Sequence, residues 1–391
     1  MIRRLLASLI LFSIGAAACG DDDDEAAGSS TTAAGVATDD LLAVATTYAD
    51  LVSASYAASI ASAMQLQDAI DALVADPTDA TLAAAKQQWL AARDDYGPTE
   101  AFRFYDGPID DPDDGPEGQI NAWPMDEAYL DYVEGDPEAG IINDPAGVPE
   151  ITTDVVVAAN EEGGETNIST GWHAIEFLLW GQDLDPAGPG SRPLTDFTTE
   201  PNAQRRATYL TLLAQLLVDD LTGVAAEWRP DGAYRAAFLA DPPTAVQSMF
   251  RGIGALSSGE LAGERMAVAF ETRDQEDEHS CFSDNTNADV RNNAAGIRMV
   301  YLADFPGVTG ASLSSLVAAV DADLDARLRE QLDGSIALAE AFPATFEEMI
   351  QAPAGDPAST AFLAALEAIE AQGATIAEAA AALGIAISIE V

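Results

Sequence analysis

Leucine and alanine recur at three- and four-residue intervals through most of this chain, and the β-branched alternation of strands is scarce. The pattern predicts helices over nearly every ordered segment. Asp39 and Asp40 open a long one to about residue 75, where Asp76-Pro77 stops it. Thr78 or Asp79 can cap a second, through Tyr96, which Gly97-Pro98 breaks before a short continuation over 99–105. Residues 106–124 read as an acidic Pro/Gly loop without the alternating acids, central glycine and terminal glutamate of an EF-hand. Further helices are expected at 126–134, 151–160, 171–181, 202–227, 243–272, 288–302, 312–332, 334–350 and 359–383. The polar, Pro/Gly-rich stretch 183–201 is the expected domain boundary. The fold class is therefore all-α, with two helical-bundle domains packed side by side, over 39–200 and 201–391.

The start of the chain changes the picture of where the protein works. Residues 1–18 carry Arg3 and Arg4, an apolar stretch from Leu5 to Ile14 and small residues to Ala18, the layout of an export signal. Cys19 stands where a bacterial lipoprotein carries its acylated cysteine, although Ala16 occupies a position where leucine is usual. Residues 19–38 have almost nothing to bury and read as a disordered tether. The expected location is the cell envelope, periplasmic or surface face, with the membrane touched only through the lipid on Cys19. Without the lipid, the protein would be secreted. A lipidated Cys19 leaves Cys281, the other of two cysteines, unpaired. The formal charge of −49 argues against nucleic acid or an anionic membrane surface as a partner.

Candidate chemistry is concentrated in three stretches. In Gly171-Trp172-His173-Ala174-Ile175-Glu176-Phe177-Leu178-Leu179-Trp180-Gly181, the helix is apolar nearly all round and should be buried. His173 and Glu176 lie one turn apart on one face, where a single ion could touch both. A structural His–Glu hydrogen bond is the plainer account. Scarcity favours function, since His173 and His279 are the chain's two histidines. The second stretch, 89–104, places Trp89, Arg93 and Tyr96 at helical spacing, followed by Glu100 and Arg103. The third, Glu276 to Thr286, gathers Glu278, His279, Ser280 and Cys281.

Hydrolytic templates fit poorly, because His-Glu-x-x-His, its inverted form and Gly-x-Ser-x-Gly are all missing. A zinc peptidase would have to assemble His173, Glu176 and His279 from distant segments and still find a general base. The same three side chains could equally form a facial iron site.

These stretches together resemble the imelysin family. Gly171, His173 and Glu176 match its Gly-x-His-x-x-Glu signature, 89–104 looks like its first conserved segment, and 278–286 looks like its iron-regulated branch. Asn287 departs from the histidine expected there. The resemblance implies two helical bundles with the site in the groove between them, in an exported protein associated with iron acquisition. It implies His173 and Glu176 as the core of the site; the residues themselves add Glu100 and His279 as second-line metal-ligand candidates, with a structural ion pair to an arginine as the plainer account of Glu100. Arg93, Arg103, Trp89, Glu278 and Ser280 would bind ligand or support the site. The expected cofactor is iron, with zinc or another divalent metal as the alternative, free or as an iron chelate. Envelope iron-uptake components are the expected partners. Two alternatives stay open: a metal-dependent endopeptidase using the same motif, and a structural or partner-binding lipoprotein without metal.

Overall fold

The computed structural model of the chain describes residues 36–185 and 188–390. The expected export signal, Cys19 and its lipid, and the tether as far as residue 35 lie outside the described residues. The rest is helical, with no named strand among the described residues. The first half holds α1 (Thr38–Ala75), α2 (Asp79–Tyr96), the short α3 (Glu117–Ile120), α4 (Glu127–Leu130) and α5 (Thr153–Ala159), then α6 (Gly171–Trp180). Next come α7 (Ala203–Trp228), α8 (Ala233–Ala240), α9 (Pro242–Ala255) and α10 (Val268–Thr272). The chain closes with α11 (Thr286–Leu302), α12 (Leu313–Val320), α13 (Ala322–Glu340), α14 (Phe346–Gln351) and α15 (Pro357–Ala382).

Local signals explain most boundaries. The Thr78 hydroxyl accepts the Thr81 N–H at 3.2 Å, starting α2 with a capping box. Four expectations are corrected. The continuation over 99–105 is a 3₁₀ turn, Gly97–Phe102. The helix expected over 126–134 is the single turn α4, because Asp131 leaves it in extended conformation to meet Arg192 and Arg206. The helix over 312–332 breaks at Asp321, whose carboxylate accepts the Leu324 N–H at 3.0 Å and so starts α13. That helix then runs through Gly334, since one exposed glycine costs only about 1 kcal/mol in a helix. The helix over 243–272 does form, but its middle, Leu256–Ala267, is wound as a π-helix. The sequence reading did not anticipate α8.

The main apolar core runs from Leu41 on α1 to Ile385 beyond α15 and includes Tyr48, Trp89, Trp172 and Trp228. A smaller cluster gathers Leu261, Met266, Phe346 and Phe362 where α15 packs against the π-helix and α14. Helix α1 packs along α2 and α7, and α11 packs against α13 and the 3₁₀ turn Gly97–Phe102. Helix α6 is held by α2, α7 and the short turn Cys281–Ser283. These contacts bring 171–181 and 279–289 together.

Candidate functional site

All ten residues of α6 are buried. The chain enters it through Gly171 at φ 81°, a left-handed conformation that favours glycine, where an added Cβ would collide with the Ile120 carbonyl. The first turn is keyed to α2. Trp89 Nε1 donates to the Trp172 carbonyl at 3.0 Å. The Arg93 guanidinium lies over the Trp89, Tyr96 and Trp172 rings, at 5.9, 5.3 and 5.7 Å from their centres. Trp89 therefore positions α6 from behind, and the helical spacing of Trp89, Arg93 and Tyr96 is the spacing of that ridge.

His173 and Glu176 meet as their spacing requires, with Nδ1 and Oε2 2.9 Å apart. The other face of the imidazole points to the second histidine: His173 Nε2 and His279 Nε2 are 3.3 Å apart. On the far side of His279, Nδ1 lies 3.2 Å from Asp289 Oδ2. Each imidazole thus has a buried carboxylate at Nδ1 and presents Nε2 to its partner. Burial pushes both histidines well below the ordinary value; His279 adds to this at His173, and Arg265 and Arg93 add to it at His279. Both rings are therefore neutral near pH 7. Burial raises Glu176 to about 8, against the lowering effect of Ser283, which donates its N–H at 2.9 Å and its hydroxyl at 2.6 Å to Oε1.

One proton arrangement satisfies every contact. Protonated Glu176 donates to His173 Nδ1, His173 Nε2–H donates to His279 Nε2, and His279 Nδ1–H donates to Asp289. A second arrangement puts a proton on each Nδ1, facing ionised Glu176 and Asp289. Two Nε2 lone pairs then face one another, which is unfavourable unless a cation lies between them. With metal–nitrogen bonds of about 2.1 Å, nitrogens 3.3 Å apart match adjacent ligands on one ion. The carboxylate–histidine pairing is the usual support for a metal-binding imidazole. The two histidines therefore fit a transition-metal ion. Among the described residues no group of three His, Cys, Asp or Glu side chains is placed to hold a metal, so further coordination positions would fall to water or to a ligand.

The remaining expected residues sort around this pair. Glu100 does not reach the histidines. It accepts Arg103 Nη1 at 2.9 Å, Arg265 Nη2 at 2.8 Å and Asn121 Nδ2 at 2.8 Å. Burial alone would raise it, but Arg265, Arg103 and Arg93 overcome burial and hold it at about 2. Arg93 Nη2 donates to Asp289 Oδ2 at 3.1 Å, and Ser280 Oγ donates to the same oxygen at 2.6 Å. Both thereby orient the carboxylate behind His279. Glu278 is buried with Oε2 unpartnered, and burial pushes it well up. Cys281 is buried and free. Asn287 Nδ2 donates to the Ala344 carbonyl at 2.8 Å, toward the start of α14.

An open cavity of about 500 Å³ reaches this assembly, lined by His279, Trp123, Asn121, Arg103, Arg265 and a set of carboxylates. Trp123 packs its ring edge-on to both histidines, 4.8 and 6.2 Å between centres. Sequence reasoning missed Asn121, Trp123, Arg265, Ser283 and Asp289. Trp123 stands near the end of an acidic Pro/Gly loop whose composition draws attention to its carboxylates. Asp289 sits ten residues beyond His279, and nothing local in the sequence marks it as a partner of that ring.

The comparisons with known proteins agree with this architecture. Over 340 residues, 82% of each chain, the protein is 27% identical to iron-regulated protein A of Synechococcus elongatus. A solved structure named for an iron-regulated protein A precursor of Parabacteroides distasonis superposes with a TM-score of 0.68 at 18% identity, covering 88% of this chain and 96% of that one. An imelysin-like protein of Psychrobacter arcticus gives 0.63 at 14% identity, with 90% and 98% covered. At such identities these two structures speak for the fold. The Imelysin family model matches residues 52–373, most of the chain, so this protein belongs to the imelysin family.

Proposed function

We propose that this protein is an exported, lipid-anchored binder of iron that captures the ion at the paired Nε2 atoms of His173 and His279, within iron acquisition. The single observation that carries the reading is the pair itself, two neutral imidazoles 3.3 Å apart with each Nδ1 against a buried carboxylate. Two protein nitrogens and an open cavity suit an ion held as cargo, with its other positions filled by water or a chelating molecule. The iron-regulated name of the Synechococcus relative supports the choice of iron over zinc. Anchoring through Cys19 and a place in the envelope belong to the same proposal. Glu176 supports His173 in this scheme. An endopeptidase would need that carboxylate on the Nε2 side as general base, whereas it is engaged with His173 Nδ1 and Ser283.

The test is anaerobic titration of Fe²⁺ into chelator-treated protein, followed by calorimetry, beside His173→Ala and His279→Ala. One ion per chain, lost in both variants while their helical circular dichroism persists, is the expected result. Unchanged binding in either variant would remove the proposal.

A further inference from the structure

The cavity above the histidine pair carries a charge pattern that bears on what can reach it. Six carboxylates line it, Glu117, Glu161, Glu165, Glu260, Glu264 and Asp277, against two guanidiniums, Arg103 and Arg265. Both guanidiniums are already compensated. Arg103 pairs with Glu100 and Glu117 at 2.9 and 3.0 Å, and Arg265 pairs with Glu100 and Glu260, both at 2.8 Å. The ion pairs of the described residues leave Glu161, Glu165, Glu264 and Asp277 without a basic partner. Glu161, Glu165 and Glu264 are exposed, and they converge from two separate parts of the chain, the segment after α5 and the π-helix. His279 lines the cavity and His173 lies directly behind it, with the two Nε2 atoms 3.3 Å apart, so the field leads toward the imidazole pair. A cleft lined by one sign of charge concentrates ions of the opposite sign and speeds their arrival.

We infer that this cavity selects its cargo by charge: the hydrated divalent cation enters and reaches His173 and His279, whereas a chelate of net negative charge is repelled, with Glu161, Glu165 and Glu264 as the residues that discriminate. The inference rests on the metal-binding reading above and narrows it from iron in any form to the free cation. Water ligands are small enough to be carried into a cavity of about 500 Å³ and exchanged there for imidazole. A hydroxycarboxylate chelate would bring its own negative oxygens against four unpaired carboxylates.

The experiment uses the full chain and stopped-flow tryptophan fluorescence, since an ion at the histidines would quench Trp123, whose ring centre is 4.8 Å from that of His173. The probes are anaerobic Fe²⁺, Co²⁺ and Fe³⁺ presented as its citrate chelate. At about 10 mM salt the triple variant Glu161→Gln, Glu165→Gln, Glu264→Gln should associate with Fe²⁺ and Co²⁺ about tenfold more slowly, with dissociation unchanged. Near 0.5 M salt the difference should vanish, because screening then acts within a few ångströms. A control that neutralises three exposed acids outside the cavity, Asp71→Asn, Glu340→Gln and Glu370→Gln, should stay near wild type. The citrate chelate should give no His173-dependent quenching in the wild type and a measurable one in the triple variant.

The inference is overturned if the rim variant slows no more than the control, or if wild type takes up the citrate chelate as readily as Fe²⁺. Failure of the underlying reading looks different: no ion then quenches wild type, or His173→Ala quenches as wild type does.

Discussion

Replacing Glu176 with glutamine should make the metal-free protein more stable, and increasingly so as the pH rises. Glu176 is fully buried, and burial raises it from the ordinary 4.5 to about 8. Between those values the folded state holds a proton that the unfolded state has released, so stability falls as pH rises. The contribution is complete below about 4.5 and is lost by the time pH passes 8. From pH 5 to pH 7 the loss is about 2–3 kcal/mol, taking 1.36 kcal/mol per pH unit of unmatched proton binding. Glutamine escapes it. Its carbonyl can accept the Ser283 N–H and hydroxyl, and its amide can donate to His173 Nδ1, as the protonated acid does. Urea unfolding of wild type and Glu176→Gln with chelator present, at pH 5, 6, 7 and 8, measures the gap directly. A gap that stays constant across that range, or a variant less stable than wild type at pH 8, would refute the account of Glu176 as a buried acid held neutral. The same variant should bind metal more weakly, because the amide donor keeps the His173 proton on Nε2. Stability and affinity should move in opposite directions, which simple unfolding cannot produce.

Three further outcomes are expected. Asp289→Asn should weaken Fe²⁺ binding by about 10–100-fold, since it loosens the carboxylate behind His279; calorimetric titration measures it. Glu100→Gln should cost about 3–5 kcal/mol in urea unfolding, because Arg265 and Arg103 lose their buried counter-charge. With Glu100 held at about 2, that difference should be constant from pH 7 to 5 and shrink only as acid takes the pH from about 4.5 down through 2. Gly171→Ala should cost about 2 kcal/mol or more, since it adds a Cβ at positive φ against the Ile120 carbonyl. Thermal unfolding followed at 222 nm checks it.

Much of the helical framework was legible because its signals are local. The long α1, the Thr78 cap of α2, the buried α6 and the run of α15 follow from apolar spacing, capping residues and Pro/Gly breaks. The misreadings occur where a distant group decides. Asp131 ends α4 because two arginines from 192 and 206 claim it, and Asp321 works both as the end of α12 and the start of α13. The π-winding of Leu256–Ala267 leaves no mark in composition, although it is the element that turns Glu260 and Arg265 toward the cavity.

The candidate site divides along the same line. By itself the sequence determined the helical class, the buried His-x-x-Glu turn and the three stretches that carry the family resemblance, since each rests on neighbouring residues. Tertiary structure alone decided which atoms face each other. It placed His279, 106 residues away, on His173 Nε2, and set Glu176 on the opposite edge of the ring. It also enclosed Glu100 among arginines and supplied Asp289, Ser283 and Trp123 around the pair. Residue spacing fixes which side chains share a helical face, but the edge of an imidazole that meets a partner depends on how separate helices pack.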